Sequence, residues 1–119
     1  MRNREQIRAL TALEAAKGKK VAGKEGGEVV KKIPPLVMNH GLLATGAYAF
    51  AEKGGFKEVM DAMAKHLGHE EIGLLPKAEA DKGVEGLLEY LVKGDSARLR
   101  LLTAEAMAWL AYARRFIEK

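Results

Sequence analysis

The sequence contains no cysteine and only three prolines in 119 residues. The absence of cysteine excludes disulfide bonds, thiolate metal ligands and a cysteine nucleophile. Val, Ile and Thr are less common than Ala and Leu, which favours helices over strands. No uninterrupted apolar segment is long enough to span a bilayer of about 30 Å, and the first residues lack the apolar core of a signal peptide. We therefore expect a soluble, cytoplasmic, all-α protein.

Length and charge limit the number of domains and the class of partner. With 119 residues, 48% of them hydrophobic, the chain fits one helical domain over residues 1–119. The net charge is +4, but it is unevenly distributed: nine basic and four acidic residues precede Pro34. The remainder of the chain is therefore slightly acidic. This distribution is compatible with a polyanionic partner without requiring one.

Hydrophobic periodicity and glycine positions predict a compact bundle of five to six helices. The predicted helices are Arg2–Ala16, Pro34–Glu52, Phe56–Leu67, Lys77–Val92 and a long C-terminal helix to Lys119 that Asp95 or Ser96 caps. Between the first two, glycines interleaved with lysines predict a flexible loop at about 17–28 and a short turn up to Lys32. In the last helix the buried stripe is predicted as Leu99, Leu102, Ala106, Trp109, Ala113 and Phe116.

Two patterns suggest sites for small ligands. Gly18–Lys24 fits the first seven positions of a phosphate-binding P-loop, but Glu25 stands where a magnesium-binding hydroxyl is needed, so we favour a flexible basic loop. His66 and His69, followed by two glutamates, would be the ligands of a small metal-dependent hydrolase. Their spacing of three across Gly68 is not that of a helical zinc motif, and we expect exposed histidines at a helix end. No metal and no cofactor is expected.

A nucleic-acid-binding role has more support. The uncharged segment 33–51 offers too few polar side chains to read base edges as a helix-turn-helix. Contacts from Arg and Lys to phosphates remain, and these are insensitive to base sequence. Trp109 is expected in the core rather than stacked on a base. From the residues alone, a free-standing nonspecific nucleic-acid binder is one reading.

Two segments resemble a known family. They are Lys32–Leu42 (KIPPLVMNHGL), continuing through Phe50–Gly54 (FAEKG), and Leu102–Phe116 (LTAEAMAWLAYARRF) near the C-terminus. The first is similar to a block in which lysine and proline precede a buried helix with Asn and Gly-Leu. The second is similar to a C-terminal signature of Thr, Glu, an aromatic pair and two basic residues before Phe. Together they resemble the small helical subunit of the type III-B CRISPR effector, the Cmr complex.

The resemblance implies a non-catalytic structural subunit in antiviral defence. Its expected partners are the other Cmr effector subunits, neighbouring copies of itself, and the guide or target RNA, with no membrane. Arg114 and Arg115 match the family's terminal basic pair and are the first candidates for RNA contact. The other candidates rest on charge alone: Arg98, Arg100, Lys19, Lys20, Lys31 and Lys32.

Overall fold

A computed structural model of the chain describes residues 2–17 and 29–117. Within these ranges lie seven α-helices whose two ends are both described, and no strand, which confirms the all-α class. In chain order they are α1 Arg4–Lys17, α2 Ile33–His40, α3 Leu42–Glu52, α4 Gly54–Leu67, α5 Lys77–Ala80, α6 Val84–Lys93 and α7 Ser96–Ile117. None of these described helices is long and apolar enough to cross a membrane.

The long C-terminal helix that the sequence predicted is α7, and it is central to the packing. It contacts α1, α2 and α4, and its Leu102, Ala106, Trp109 and Ala113 are buried. The predicted stripe is wrong at its end, because Phe116 is 38% exposed whereas Ile117 is buried. Alternating steps of three and four have a period of 3.5 residues, which drifts off the core side of a straight helix with 3.6 residues per turn.

Two predicted helices are each divided by a glycine. The predicted helix Pro34–Glu52 ends at His40 and restarts at Leu42, because Gly41 adopts a φ of 92°. The predicted helix Lys77–Val92 is interrupted by a turn in which Gly83 has a φ of 69°. Both φ values lie in the range that favours glycine over L-residues with a side chain. The expectation of two continuous helices is therefore wrong, although the helical content is right.

Side chains fix several helix ends. Asn3 accepts a hydrogen bond from the Gln6 backbone N–H at 2.9 Å, and Gln6 Oε1 accepts one from the Asn3 N–H at 2.8 Å. This reciprocal cap starts α1 at Arg4 rather than at the predicted Arg2. Asp95 caps α7 as predicted, because its Oδ1 accepts from the Arg98 N–H at 2.9 Å.

The small residues of α3 allow a close helix contact. A Cβ added to Gly46 would lie 3.0 Å from Cδ2 of Leu88 on α6. The segment before α2 is helical at Val29 and Val30, both buried, and then turns at Lys31 and Lys32. Of the predicted flexible loop at 17–28, only Lys17 lies within the described residues, where it ends α1.

Gly83 and Gly73 provide a matched pair of substitutions. Gly83→Ala introduces a Cβ at 2.3 Å from Oδ1 of Asp61, the atom that accepts from the Val84 N–H at 2.8 Å and caps α6. Gly73 has a similar φ of 65°, but no atom would lie closer than 3.8 Å to its added Cβ. We expect Gly73→Ala to lower the free energy of unfolding by about 1 kcal/mol through backbone strain. Gly83→Ala should lower it by about 2–3 kcal/mol, because the cap is lost as well. Equal losses in urea unfolding would contradict this assignment.

Candidate nucleic-acid interface

The arginines of α7 lie on its solvent side. Arg100, Arg114 and Arg115 are exposed. Arg114 follows Arg100 by 14 residues, close to four helical turns, so both project from the same side of the helix about 21 Å apart. Trp109 is two and a half turns after Arg100 and points the opposite way, into the core, where it is fully buried. The expectation that Trp109 belongs to the core is confirmed.

Arg98 contacts Tyr90 on the neighbouring helix α6. Its guanidinium carbon lies over the ring of Tyr90, 3.9 Å from the centroid. Its Nη1 also donates a hydrogen bond to the Tyr90 carbonyl oxygen at 3.1 Å. These contacts join the end of α6 to the start of α7. The geometry favours a structural role for Arg98 over an RNA contact.

The lysine candidates divide into two groups. Lys31 and Lys32 are exposed in the turn before α2, a helix that packs against α7. Lys19 and Lys20 lie outside the described residues. The described part of the predicted interface thus consists of one face of α7 and the turn that leads into α2.

A buried polar cluster on the inner side of α7 was not expected. Glu105 is 2% exposed and accepts two hydrogen bonds from Arg8 of α1, one from Nε and one from Nη2, both at 2.8 Å. On its other side Glu105 Oε2 lies 2.9 Å from Nε2 of His66 on α4, and His66 is fully buried. Arg4 adds a longer contact of 3.4 Å to Oε1. One carboxylate therefore connects three helices.

Thr11 and Trp109 complete this cluster. The Thr11 hydroxyl lies 2.6 Å from Nδ1 of His66, and the Trp109 ring N–H donates to the same hydroxyl oxygen at 3.0 Å. The ring of His66 also stacks on that of Trp109, with centroids 5.8 Å apart. No buried side-chain nitrogen or oxygen among the described residues lacks a hydrogen-bond partner. The cluster is fully satisfied, as a buried polar group requires.

The pKa shifts of His66 and Glu105 indicate the protonation state of each side chain. Burial lowers the pKa of His66 below its usual value, although the hydrogen bond to Glu105 opposes this effect. For Glu105, burial acts to raise the pKa, but the hydrogen bonds from Arg8 and His66 outweigh it, so its pKa is lowered. The groups are thus an ionised carboxylate and a neutral imidazole. His66 then donates through Nε2–H to Glu105 and accepts the Thr11 proton at Nδ1.

The expected position of His66 is therefore wrong. Sequence spacing placed it at an exposed helix end, whereas α4 turns it inward and Gly68 ends the helix two residues later. His69 is half-buried, and its Nδ1 accepts from the Glu71 N–H at 3.1 Å. Among the described residues, no group of three or more His, Asp or Glu side chains is placed to hold a metal ion. The two histidines have separate surroundings.

One sequence signal could have revealed the cluster. Glu105 lies between Leu102 and Trp109 on the inner side of α7, where a charge needs a buried partner. The partners themselves could not be read from the sequence, because Arg8 and His66 are 97 and 39 residues away from Glu105.

The chain is one of the CRISPR-associated proteins, because the family model described as CRISPR-associated protein (Cas_Cmr5) matches its residues 3–119. The chain belongs to the Cas_Cmr5 family. This confirms the resemblance to the type III-B Cmr small subunit.

A solved structure shares the fold. It is the X-ray crystal structure of a CRISPR-associated Cmr5 family protein from Thermus thermophilus, with a TM-score of 0.74 and 24% sequence identity. The match covers 98% of this chain and 96% of that chain. No curated protein matches the chain.

The buried cluster predicts a large effect of substitution at Glu105. Glu105→Gln removes the charge that pairs with Arg8, whose side chain is only 24% exposed, and should lower the free energy of unfolding by about 3 kcal/mol. The matched control is Glu71→Gln, whose partner Arg2 is 47% exposed, and it should lose about 0.5 kcal/mol or less. Chemical denaturation measures both. Similar losses in the two variants would contradict a special role for the buried carboxylate.

The same cluster predicts a pH dependence. Because the pKa of His66 is lower in the folded state than its ordinary value of 6.5, the unfolded chain binds more protons as the pH falls below that value. Stability should be greatest above pH 6.5 and decrease on acidification. Glu105, with its lowered pKa, adds a loss in the same direction at lower pH, below its ordinary value of 4.5. Melting temperatures between pH 7.5 and 5.5 should therefore decrease less for His66→Gln than for the unmodified protein. Parallel curves would contradict the burial of a neutral His66.

Proposed function

We propose that the protein is a non-catalytic structural subunit of a type III-B CRISPR effector complex that binds the RNA backbone through basic side chains. The observation that carries this proposal is the family match over residues 3–119. The exposed Arg114 and Arg115 at the end of α7 support it. Other effector subunits, further copies of this chain and guide or target RNA are the proposed partners.

The solvent face of α7 is suited to a phosphate backbone. Arg100 lies near one end, Arg114 and Arg115 lie near the other, and exposed Ala104 and Ala111 lie between them. The small side chains allow an extended strand to approach the helix closely, while the guanidinium groups can donate paired hydrogen bonds to phosphate oxygens. Such contacts fix the position of an RNA without selecting its sequence.

The α2–α3 surface is suited to contact with a neighbouring subunit. Met38 is 76% exposed, and Tyr48 and Phe50 are 46% and 43% exposed, in a stretch that carries no charge from Ile33 to Ala51. Tyr48 and Phe50 are two residues apart on α3 and so lie on different sides of that helix, and exposed apolar side chains such as these can contact a neighbouring copy. If a different surface of the next copy covers the α2–α3 surface, the contact is head-to-tail and builds an open row. Several weak phosphate contacts then add along the row.

The arrangement of titratable groups supports a non-catalytic role. Glu105 and His66 form an acid-base pair next to the Thr11 hydroxyl, but both are buried and each is hydrogen-bonded within the protein. A general acid or base must reach a substrate proton within hydrogen-bond distance. The hydrogen bonds of this pair instead connect α1, α4 and α7, so the role of the pair is structural.

The double substitution Arg114→Ala and Arg115→Ala tests the RNA contact. In a complex reconstituted with guide RNA, it should weaken retention of target RNA. If two phosphate contacts are lost, the slope of log K against log salt should decrease in magnitude by about 1.4, because each contact to a single strand contributes about 0.7. Filter binding over a salt series measures both quantities.

A control with the same loss of charge is Lys53→Ala with Lys93→Ala, two exposed lysines that are not part of α7. It should retain the target RNA and the full salt slope. An unchanged slope in the Arg114 and Arg115 variant would reject these contacts, and loss of its melting transition would assign the pair to folding. Tight binding of random RNA by the isolated protein, with a steep salt dependence, would favour a free-standing nonspecific binder instead.

A further inference from the structure

A groove of about 730 Å³ lies between the loop that follows α4 and helices α5 and α6. Its apolar lining includes Leu74, Leu75 and Pro76 of the loop, Ala80 of α5 and Tyr90 of α6. The volume falls within the range of about 300–1,000 Å³ that is usual for small-molecule sites. Among the described residues, none of the RNA-contact candidates taken from the sequence lines it.

The loop that forms one wall of the groove is held by backbone hydrogen bonds. The N–H groups of Leu74 and Leu75 both donate to the Leu67 carbonyl oxygen, at 3.2 and 3.0 Å. The Ile72 and Gly73 N–H groups donate to the His69 carbonyl oxygen at 2.9 and 2.8 Å. Leu75 is also buried in the core. The wall is therefore formed before any ligand binds.

Four charged side chains that line the groove have no partner within the described part of the chain. Lys65, Lys77, Glu70 and Asp81 make no ion pair or side-chain hydrogen bond with the described residues. Some other surface charges do pair, namely Lys57 with Asp61 at 2.8 Å and Lys82 with Glu89 at 3.2 Å. Two cations and two carboxylates around one groove, unpaired with each other, offer both donors and acceptors to a ligand.

His69 and Tyr90 add a hydrogen-bond donor and an aromatic ring to the lining of the groove. Since Nδ1 of His69 accepts from the Glu71 N–H, neutral His69 carries its proton on Nε2 as a further donor. Tyr90 lines the groove, and Arg98 covers one face of its ring at 3.9 Å. Tyr90 is half-buried and packs in part against the hydrophobic core. Arg98 thus holds an aromatic surface in place.

We propose that this groove binds a nucleotide. The base lies on the apolar lining beside Tyr90, where stacking on an aromatic ring tolerates any base. The carboxylates of Glu70 and Asp81 accept hydrogen bonds from base N–H groups, as Asp and Glu do from exocyclic amines. The ammonium groups of Lys65 and Lys77 bind the phosphate, assisted by the Nε2–H of His69. The nucleotide is either free or one residue of an RNA strand.

Nuclear magnetic resonance of the full-length, ¹⁵N-labelled protein tests this proposal with adenosine 5′-monophosphate as the probe. The amide signals of residues 69–77 and of Tyr90 should shift and saturate during the titration. The double variant Lys65→Ala with Lys77→Ala should raise the Kd about tenfold, and the control variant Lys53→Ala with Lys93→Ala should leave it unchanged. Ribose 5-phosphate, which lacks the base, should bind more weakly than the nucleotide.

A single-stranded oligoadenylate of eight residues distinguishes a site for free nucleotide from a site for one nucleotide of an RNA strand. Shifts of the same amides with the mononucleotide assign a free nucleotide site, whereas shifts with the oligonucleotide alone assign a nucleotide of RNA. The proposal is overturned if neither probe shifts these signals, or if the Lys65 and Lys77 variant, with an unchanged melting temperature, responds as the unmodified protein does. The Arg114 and Arg115 variant should bind the mononucleotide normally. The groove proposal can therefore hold even if the proposed contact of Arg114 and Arg115 with the RNA backbone is wrong.

Discussion

The buried carboxylate of Glu105 is the constraint on which the arrangement of α1, α4 and α7 depends. An unpaired carboxylate in the core would destabilise the fold by several kcal/mol, so Arg8 and His66 must both be in position when α7 is buried. α1 has only two fully buried apolar residues, Ile7 and Ala12. Hydrophobic burial alone therefore specifies its position weakly. The two parallel hydrogen bonds from Arg8, together with the Thr11 hydroxyl, define where α1 lies along α7.

Buried ion pairs contribute little net stability compared with apolar side chains of the same size, because both charges lose their hydration. Their effect here is on specificity. A shift of α1 by one turn would separate Arg8 from Glu105 and Thr11 from both His66 and Trp109 at the same time. The Thr11 hydroxyl can also donate to the Ile7 carbonyl oxygen within α1, at 3.0 Å, so the groups that a shifted α1 would leave unsatisfied are the Trp109 ring N–H and Nδ1 of His66. The cluster thus excludes wrong arrangements more than it adds to the free energy of the right one.

The sequence predicted helices well and their interruptions badly, for a physical reason. Hydrophobic periodicity is a local signal, and it located α4 and α7 within a few residues. The break at Gly83 depends on Asp61, a side chain from another helix that caps the Val84 N–H. A glycine within a helical pattern does not reveal that such a partner exists. The inward position of His66 has the same origin, since its partners Thr11 and Glu105 come from distant parts of the chain.

Family membership could be inferred from the sequence, whereas the residues that contact RNA remain proposals. The reason is the difference between buried and exposed positions. In the segment Lys32–Leu42, the side chains of Ile33, Val37 and Leu42 are buried. In Leu102–Phe116 the buried side chains include Glu105 and Trp109. The core positions within these two segments identify a fold, because packing restricts those residues most strongly. Exposed positions such as Arg114 and Arg115 are not under this packing restriction, so the inference from packing to fold does not extend to them.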